Sequence, residues 1–140
     1  MVTYKYPRPA LTADIVLFDL EAKHVLLIRR GRDPFKDCWA FPGGFFDEND
    51  IDIEHTAARE LEEETTLKGI ELKLLCVASR EGRDPRGRTV SVCFFAQADP
   101  SLVHPKGGDD AKEARWFALD ALPPLAFDHE EILQKALANF

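Results

Sequence analysis

The sequence predicts an α/β fold, a sandwich in which helices pack on a mixed sheet, built as a single domain over residues 1–140. Two kinds of segment carry this expectation. Residues 11–19 (LTADIVLFD), 24–30 (HVLLIRR), 70–79 (IELKLLCVAS) and 89–97 (TVSVCFFAQ) are apolar and β-prone and are bounded by turn residues. Residues 53–66 and 129–138 instead carry apolar side chains at helical spacing. Strands interleaved with helices give layers of helix on sheet. A chain of 140 residues that is 45% hydrophobic buries a core without disulfides or a structural metal.

Each element has its own signal. A short polar turn, Leu20-Glu21-Ala22-Lys23, joins the first two strands. Residues 31–37 form a polar loop, and residues 38–46 (CWAFPGGFF) surround Pro42-Gly43-Gly44 with aromatics. That pattern marks a tight turn beside something that approaches the backbone closely. Residues 47–52 are an acidic loop. Asp52 is the expected N-cap of the first helix, with Glu54 in its first turn. The Gly-containing loop 80–88 (REGRDPRGR) links the third and fourth strands, residues 100–110 form a loop, and residues 113–118 (EARWFA) form a short strand. Residues 121–127 are a proline-broken link, and the last helix turns Ile132, Leu133 and Leu137 inward.

Composition excludes several function classes. No apolar run reaches the roughly 18 residues that a membrane span needs. The first ten residues hold Lys5, Arg8 and two prolines but no apolar signal core. Cys38, Cys76 and Cys93 are an odd count without metal-ligand spacing, which fits a reducing cytoplasm. Cys76 and Cys93 lie in apolar stretches and are expected in the core. His24, His55 and His104 are too scattered for a zinc site. The net charge of −7 is opposite to that of a nucleic-acid binder. The expected protein is soluble and cytoplasmic, and it binds neither membrane nor nucleic acid.

Much of the acid excess lies between Asp47 and Glu64, against a single Arg59. On a helical projection Ala57, Ala58 and Leu61 cluster on the core side. Glu62 and His55 fall beyond one edge of that stripe, and Glu60, Glu63 and Glu64 together beyond the other. Three acids at these spacings repel one another and oppose the helix dipole near a C-terminus. A solvated face would instead scatter its acids and mix in lysines. A hard divalent cation relieves the repulsion, and magnesium prefers carboxylate oxygens and shares its shell with substrate phosphates. Arg59 is placed to pair with Glu63 one turn on.

At these residues the sequence resembles the Nudix hydrolases. Their box reads Gly, five residues, Glu, seven residues, Arg-Glu, aliphatic, any residue, Glu-Glu, any residue, Gly, aliphatic. Gly44 starts it, and Arg59, Glu60, Leu61, Glu63, Glu64 and Leu67 fill its second half. The span from Gly44 to Arg59 is one residue longer than the pattern, Asp50 stands in the place of the first glutamate, and Thr66 replaces the late glycine. The segments YKYPRPALTADIVLF, IRRGRDPFKDCWAFPGGF, GRDPRGR and ARWFALDALPPLAFDHEEIL extend the likeness over nearly the whole chain. They resemble the branch that holds ADP-ribose pyrophosphatases and the Nudix-like domains of NAD-linked regulators.

The resemblance implies a Nudix-type α/β/α sandwich and hydrolysis of a diphosphate linkage in a nucleotide derivative. Glu60, Glu63 and Glu64 are then ligands of Mg2+, with Mn2+ as a substitute. Gly44 borders the metal, and Glu63 or Glu64 takes the proton of the attacking water with Arg59 in support. Asp109, Asp110 and Glu113 are further candidates for base or ligand, set against solvated loop acids. Of Arg80, Arg83, Arg86 and Arg88, one or two are candidates for phosphate binding, with Arg80, Arg83 and Arg86 foremost, set against a solvated hairpin tip. Tyr4, Tyr6, Phe35, Phe45 and Phe46 are each either core or a stacking platform, and Trp39 and Trp116 are assigned to core and site wall. His129 reads as a capping or structural histidine.

The expected reaction is ADP-ribose to AMP and ribose 5-phosphate. The alternatives are nucleoside triphosphate housecleaning, nucleotide-sugar cleavage, and a non-catalytic ADP-ribose sensor. An intact acid trio favours the enzyme, as does the expectation that a chain ending at Phe140 lacks a separate DNA-binding domain. By analogy with related pyrophosphatases, a homodimer is expected.

Overall fold

The computed structural model describes residues 3–103 and 111–140. The strands are β1 (Ala10–Phe18), β2 (His24–Arg30), β3 (Trp39–Ala40), β4 (Gly43–Phe45), β5 (Lys73–Ala78), β6 (Thr89–Gln97) and β7 (Ala111–Ala118). The helices are α1 (Ile53–Thr65) and α2 (His129–Leu137), with one 3-10 turn at Pro100–Leu102. One mixed sheet runs β3-β2-β1-β6-β5, with β4 also paired to β1 and β7 to β2. The strands expected at 24–30 and 89–97 match residue for residue, and the others shift by up to three residues at an end. The structure adds two short strands, β3 and β4, inside the aromatic stretch read as a turn.

Strand β1 organises the sheet. One edge pairs in parallel with β6 along its whole length, from Ala10 opposite Thr89 to Phe18 opposite Gln97. The other edge is divided between β4, antiparallel at Thr12 to Asp14, and β2, antiparallel at Phe18. Asp19 closes the β1–β2 turn by accepting from the Lys23 and His24 backbone N–H groups at 2.8 and 3.1 Å.

Both faces of the sheet are covered. Ala13, Ile15 and Leu17 pack with Phe94, Ala57 and Leu61 on the α1 side. Val16 and Phe18 pack with Cys93, Ile132 and Leu133 on the α2 side. Alternation along β1 thus feeds two cores, because successive side chains leave opposite faces of a strand. By the same alternation Asp14 belongs to the α2 face. Among the described residues no helix is long and apolar enough to cross a membrane.

The first helix is capped as expected, with the Asp52 carboxylate accepting from the His55 N–H at 2.8 Å. Its buried stripe is Thr56, Ala57, Leu61, Glu64 and Thr65, so Ala58 is exposed and not core-facing as expected. The stripe follows positions 57, 61 and 64, which turns Glu64 inward and leaves Ala58 on the solvent side. Cys93 is buried as expected, whereas Cys76 is only half-buried. Trp39 belongs to the α2-side core and Trp116 packs against the α1-side core, and neither borders the cavity described below.

The helix ends at Thr66, which adopts φ 67° and ψ 1° and donates its N–H to the Glu62 carbonyl at 2.8 Å. This is the left-handed stop that favours glycine, held here by a β-branched residue. Thr66→Gly is expected to raise stability by roughly 1 kcal/mol, read from the urea unfolding midpoint. An unchanged or lower midpoint would show that Thr66 is not strained.

Candidate active site

The site begins with Arg59. Its Nε and Nη2 donate to the two Asp50 carboxylate oxygens, each at 2.9 Å. Nη2 also donates to the Phe45 carbonyl at 3.2 Å, and Nη1 to Glu60 at 2.9 Å and Glu63 at 3.3 Å. One guanidinium therefore joins the acidic loop, β4 and two of the three helix acids. The expected pairing with Glu63 is present, but Asp50 is the main partner. The Asp50 side chain is almost wholly buried and also accepts from the Asp47 N–H at 2.9 Å and the Thr56 hydroxyl at 2.8 Å. Hydrogen bonds from Arg59 hold the Asp50 carboxyl far below the usual carboxylate range, and the same bonds, accepted by Asp50, keep the guanidinium protonated.

The acids answer differently to their surroundings. Burial, then the charge of Glu63, pushes the pKa of Glu60 up. Burial, then the charge of Glu60, pushes that of Glu64 well up, against a backbone hydrogen bond from Gly43. Glu63 is the exposed member, with 55% of its side chain accessible. Glu64 Oε2 is buried with no hydrogen-bond partner among the described residues. Gly44 lies against Glu60 so closely that a Cβ there would collide with its carboxylate.

No three His, Cys, Asp or Glu side chains are already gathered in a chelating group among the described residues. Glu60 and Glu63 are turned to Arg59 instead. The donor set nevertheless fits a hard divalent cation: oxygen ligands only, one buried oxygen without a partner, and carboxyl groups that repel one another.

A cavity of about 120 Å³ adjoins β4. Asp14, Phe41, Gly43, Gly44, Arg83, Arg86 and His129 line it, with Arg30, Phe45 and Phe127. Asp84 grips Arg86 with hydrogen bonds of 3.1 and 2.8 Å, and its guanidinium lies over the rings of Phe45 and Phe127 at 5.1 and 5.8 Å. Arg30 lies over the same Phe127 ring, at 4.9 Å. The mouth is thus built of alternating cations and rings, a surface suited to phosphates and a flat base.

Arg83 borders the cavity but is committed elsewhere. Its Nε and Nη2 donate to both oxygens of Asp128 at 2.9 and 2.7 Å, and its side chain is 5% exposed. Arg80 is not brought in: it is exposed, 3.7 Å from Glu131, beside a separate groove. Glu113 stands apart too, held by Arg29 at 3.5 Å and Arg115 at 2.9 Å on β7. Neither residue lines the cavity. Asp109, Asp110 and His104 lie outside the described residues. Tyr4, Tyr6, Phe35 and Phe46 are exposed, and of the candidate platforms only Phe45 borders the cavity.

Sequence reading missed several residues. Asp50 had a signal, since it stands where the box places an acid, yet it was counted as a mismatch. Asp14 had a weaker one, a carboxylate inside an apolar strand. His129 had none. Its ring is buried at the start of α2, and Asp128 before it spends its side chain on Arg83 instead of on a cap.

The structure is a helices-on-sheet sandwich that sets a patch of glutamates and a guanidinium beside a cavity lined by arginines and rings. The NUDIX domain profile matches residues 8–140, and the chain belongs to the Nudix family, as a Nudix hydrolase. It is 42% identical over 129 residues to the ADP-ribose pyrophosphatase of Methanocaldococcus jannaschii, covering 92% of this chain and 73% of that one. It is 36% identical over 139 residues to the ADPR responsive transcriptional repressor NtrR of Acinetobacter baylyi, covering 96% of this chain and 55% of that protein. Among solved structures, the NUDIX domain of Shewanella oneidensis NrtR complexed with ADP ribose superposes with a TM-score of 0.84 at 32% identity, over 96% of this chain and 90% of that one.

Two outcomes follow from the ion pairs. Asp50→Asn removes one charge from the buried clasp and loosens Arg59 from Glu60 and Glu63. Hydrolytic activity is expected to fall about 10–100-fold while far-UV circular dichroism is retained. Unchanged activity would show that the clasp does not position the acids.

The second outcome concerns Asp128. Burial alone would raise its pKa, but the Arg83 hydrogen bonds and charge outweigh this and hold it low. A depressed folded pKa gives stability that is present above the unfolded value, about 3.9, and lost as pH falls through the folded value. The stability advantage of wild type over Asp128→Asn should therefore be constant near neutrality and shrink below about pH 4. Urea midpoints across pH measure it, and an advantage independent of pH would refute the pairing.

Proposed function

We propose that this chain hydrolyses ADP-ribose to AMP and ribose 5-phosphate in a reaction dependent on Mg2+. The observation that carries the reading is the Arg59 clasp, which holds Glu60 and Glu63 beside the unpartnered oxygen of Glu64, next to a cavity with cations and rings at its mouth. The 42% identity to an ADP-ribose pyrophosphatase supports the substrate.

Glu60, Glu63 and Glu64 are the residues that would hold the metal. When bound, a divalent cation polarises phosphoryl oxygens and lowers the pKa of coordinated water. The chain's own residues do the rest. Asp50 fixes Arg59, and Arg59 fixes the two carboxylates. Glu63, the most exposed of the three, takes the proton of the attacking water on a carboxylate oxygen. Arg86 and Arg30 draw the diphosphate to the mouth, and the Gly43-Gly44 backbone lets it approach. Water attacks one phosphorus, the bridging P–O bond breaks, and the departing phosphate leaves with the electron pair.

A regulatory role for the same pocket is a second reading, favoured by the 36% identity to an ADPR responsive repressor over 96% of the chain. Product release with Mg2+ separates the two, measured on ADP-ribose, a nucleotide sugar, a dinucleoside polyphosphate and a nucleoside triphosphate. The expected result is turnover of ADP-ribose that drops by about 10²–10³ in Glu63→Gln. Turnover of another panel member alone would move the substrate. Tight ADP-ribose binding without turnover would support the regulatory reading and overturn the catalytic one.

A further inference from the structure

We infer that Asp14 and His129 form a pair on the cavity wall that reads a sugar hydroxyl of the substrate. The inference rests on the nucleotide reading above and deepens it. The His129 ring is 3% exposed and lies flat against Phe41, with centroids 4.6 Å apart and planes 14° apart. Its Nδ1 accepts the Phe41 backbone N–H at 3.2 Å. In the neutral ring the proton is therefore on Nε2. Burial pushes the histidine pKa down, against the charge of Asp14, which keeps the ring neutral.

Nε2 lies 4.0 Å from Asp14 Oδ2, and both residues line the cavity. That gap is too wide for a direct hydrogen bond. It suits one inserted oxygen about 2.8 Å from each atom. The N–H only donates and the carboxylate only accepts, so the inserted group must accept from one and donate to the other. A hydroxyl does both. A phosphate oxygen would be repelled by Asp14, and a carbon would satisfy neither partner. The carboxylate is also preset: Asp14 Oδ2 accepts the Ser91 hydroxyl, and Oδ1 occupies space that a Cβ on Gly43 would take. Arg30 and Arg86 at the mouth suit phosphate, which leaves this pair for the sugar.

His129→Asn keeps an acceptor for the Phe41 N–H, because Oδ1 takes the place of Nδ1, and removes the Nε2 donor. Asp14→Asn is isosteric and keeps an acceptor for Ser91. Circular dichroism checks the folding of both variants. Calorimetric titration without metal then compares ADP-ribose with analogues that each lack one ribose hydroxyl. Wild type should bind one deoxy analogue roughly 10–100-fold more weakly than ADP-ribose. In both variants that ratio should fall toward one, because ADP-ribose alone loses affinity. A purely structural histidine would weaken all ligands alike and leave the ratio intact, which would overturn the proposal. Equal binding of every analogue by wild type would also overturn it, since a bridging water then fills the gap. Failure of the ADP-ribose reading looks different: wild type would bind another nucleotide of the panel instead, and the ribo-to-deoxy ratio for that nucleotide then decides in the same way.

Discussion

The ion pair between Asp50 and Arg59 is the constraint on which the rest of the site depends. The stretch from Asp47 to Glu64 concentrates acids around a single arginine. Left to themselves, Glu60, Glu63 and Glu64 would splay into solvent to separate their charges. Arg59 prevents this for Glu60 and Glu63 from inside the same helix, while burial holds Glu64 inward. Its flat, five-donor fork holds both oxygens of Asp50, the Phe45 carbonyl and two helix acids at once. A lysine has one point of charge and could not span these partners. Asp50 completes the clasp because it is buried, charged and satisfied by four donors, so the guanidinium has one resting place.

The two glycines of β4 make the second half of the site possible. Successive residues of a strand face opposite ways. Gly43 is packed against Asp14 on β1, and Gly44 against the Glu60 carboxylate on α1. A side chain at either position would wedge a carboxylate out of place. The acids of α1 on one face of the sheet and the Asp14–His129 pair on the other thus meet across the two glycines of β4. This arrangement lets one cavity border both a cation-suited patch and a polar, buried wall.

The fold was legible because its signals are local. β2, β6 and the start of α1 follow from alternation, helical spacing and the Asp52 cap. β3 and β4 were missed because two and three residues are too short for a pattern, and their pairing with β2 and β1 is decided by distant sequence. The helix acids were legible because repulsion at one-turn spacing is visible in one dimension. The placement of Arg80 was not legible because a run of arginines does not reveal which of them a neighbouring acid will pair with: Glu131 on α2 faces Arg80, while Asp128 takes Arg83. Asp14 and His129 lie more than a hundred positions apart, and only the sheet alternation and the start of α2 bring them together.

The departures from the family box resolve on the same physical grounds. An extra residue inside α1 would rotate everything after it by about 100° and carry the acids off their face. The helix begins at Ile53 and runs unbroken to Thr65, so the added length is taken up before it. In the stretch between Asp50 and the helix, Ile51 is 88% exposed and its N–H donates to His55 Nδ1 at 3.1 Å. The loop thereby gains slack next to Asp50, whose side chain is one methylene shorter than the glutamate of the pattern. A shorter acid needs a backbone that comes closer, and a longer loop allows it. The shorter acid nevertheless reaches Arg59 through a pair of 2.9 Å bonds, with the longer stretch lying between it and the helix.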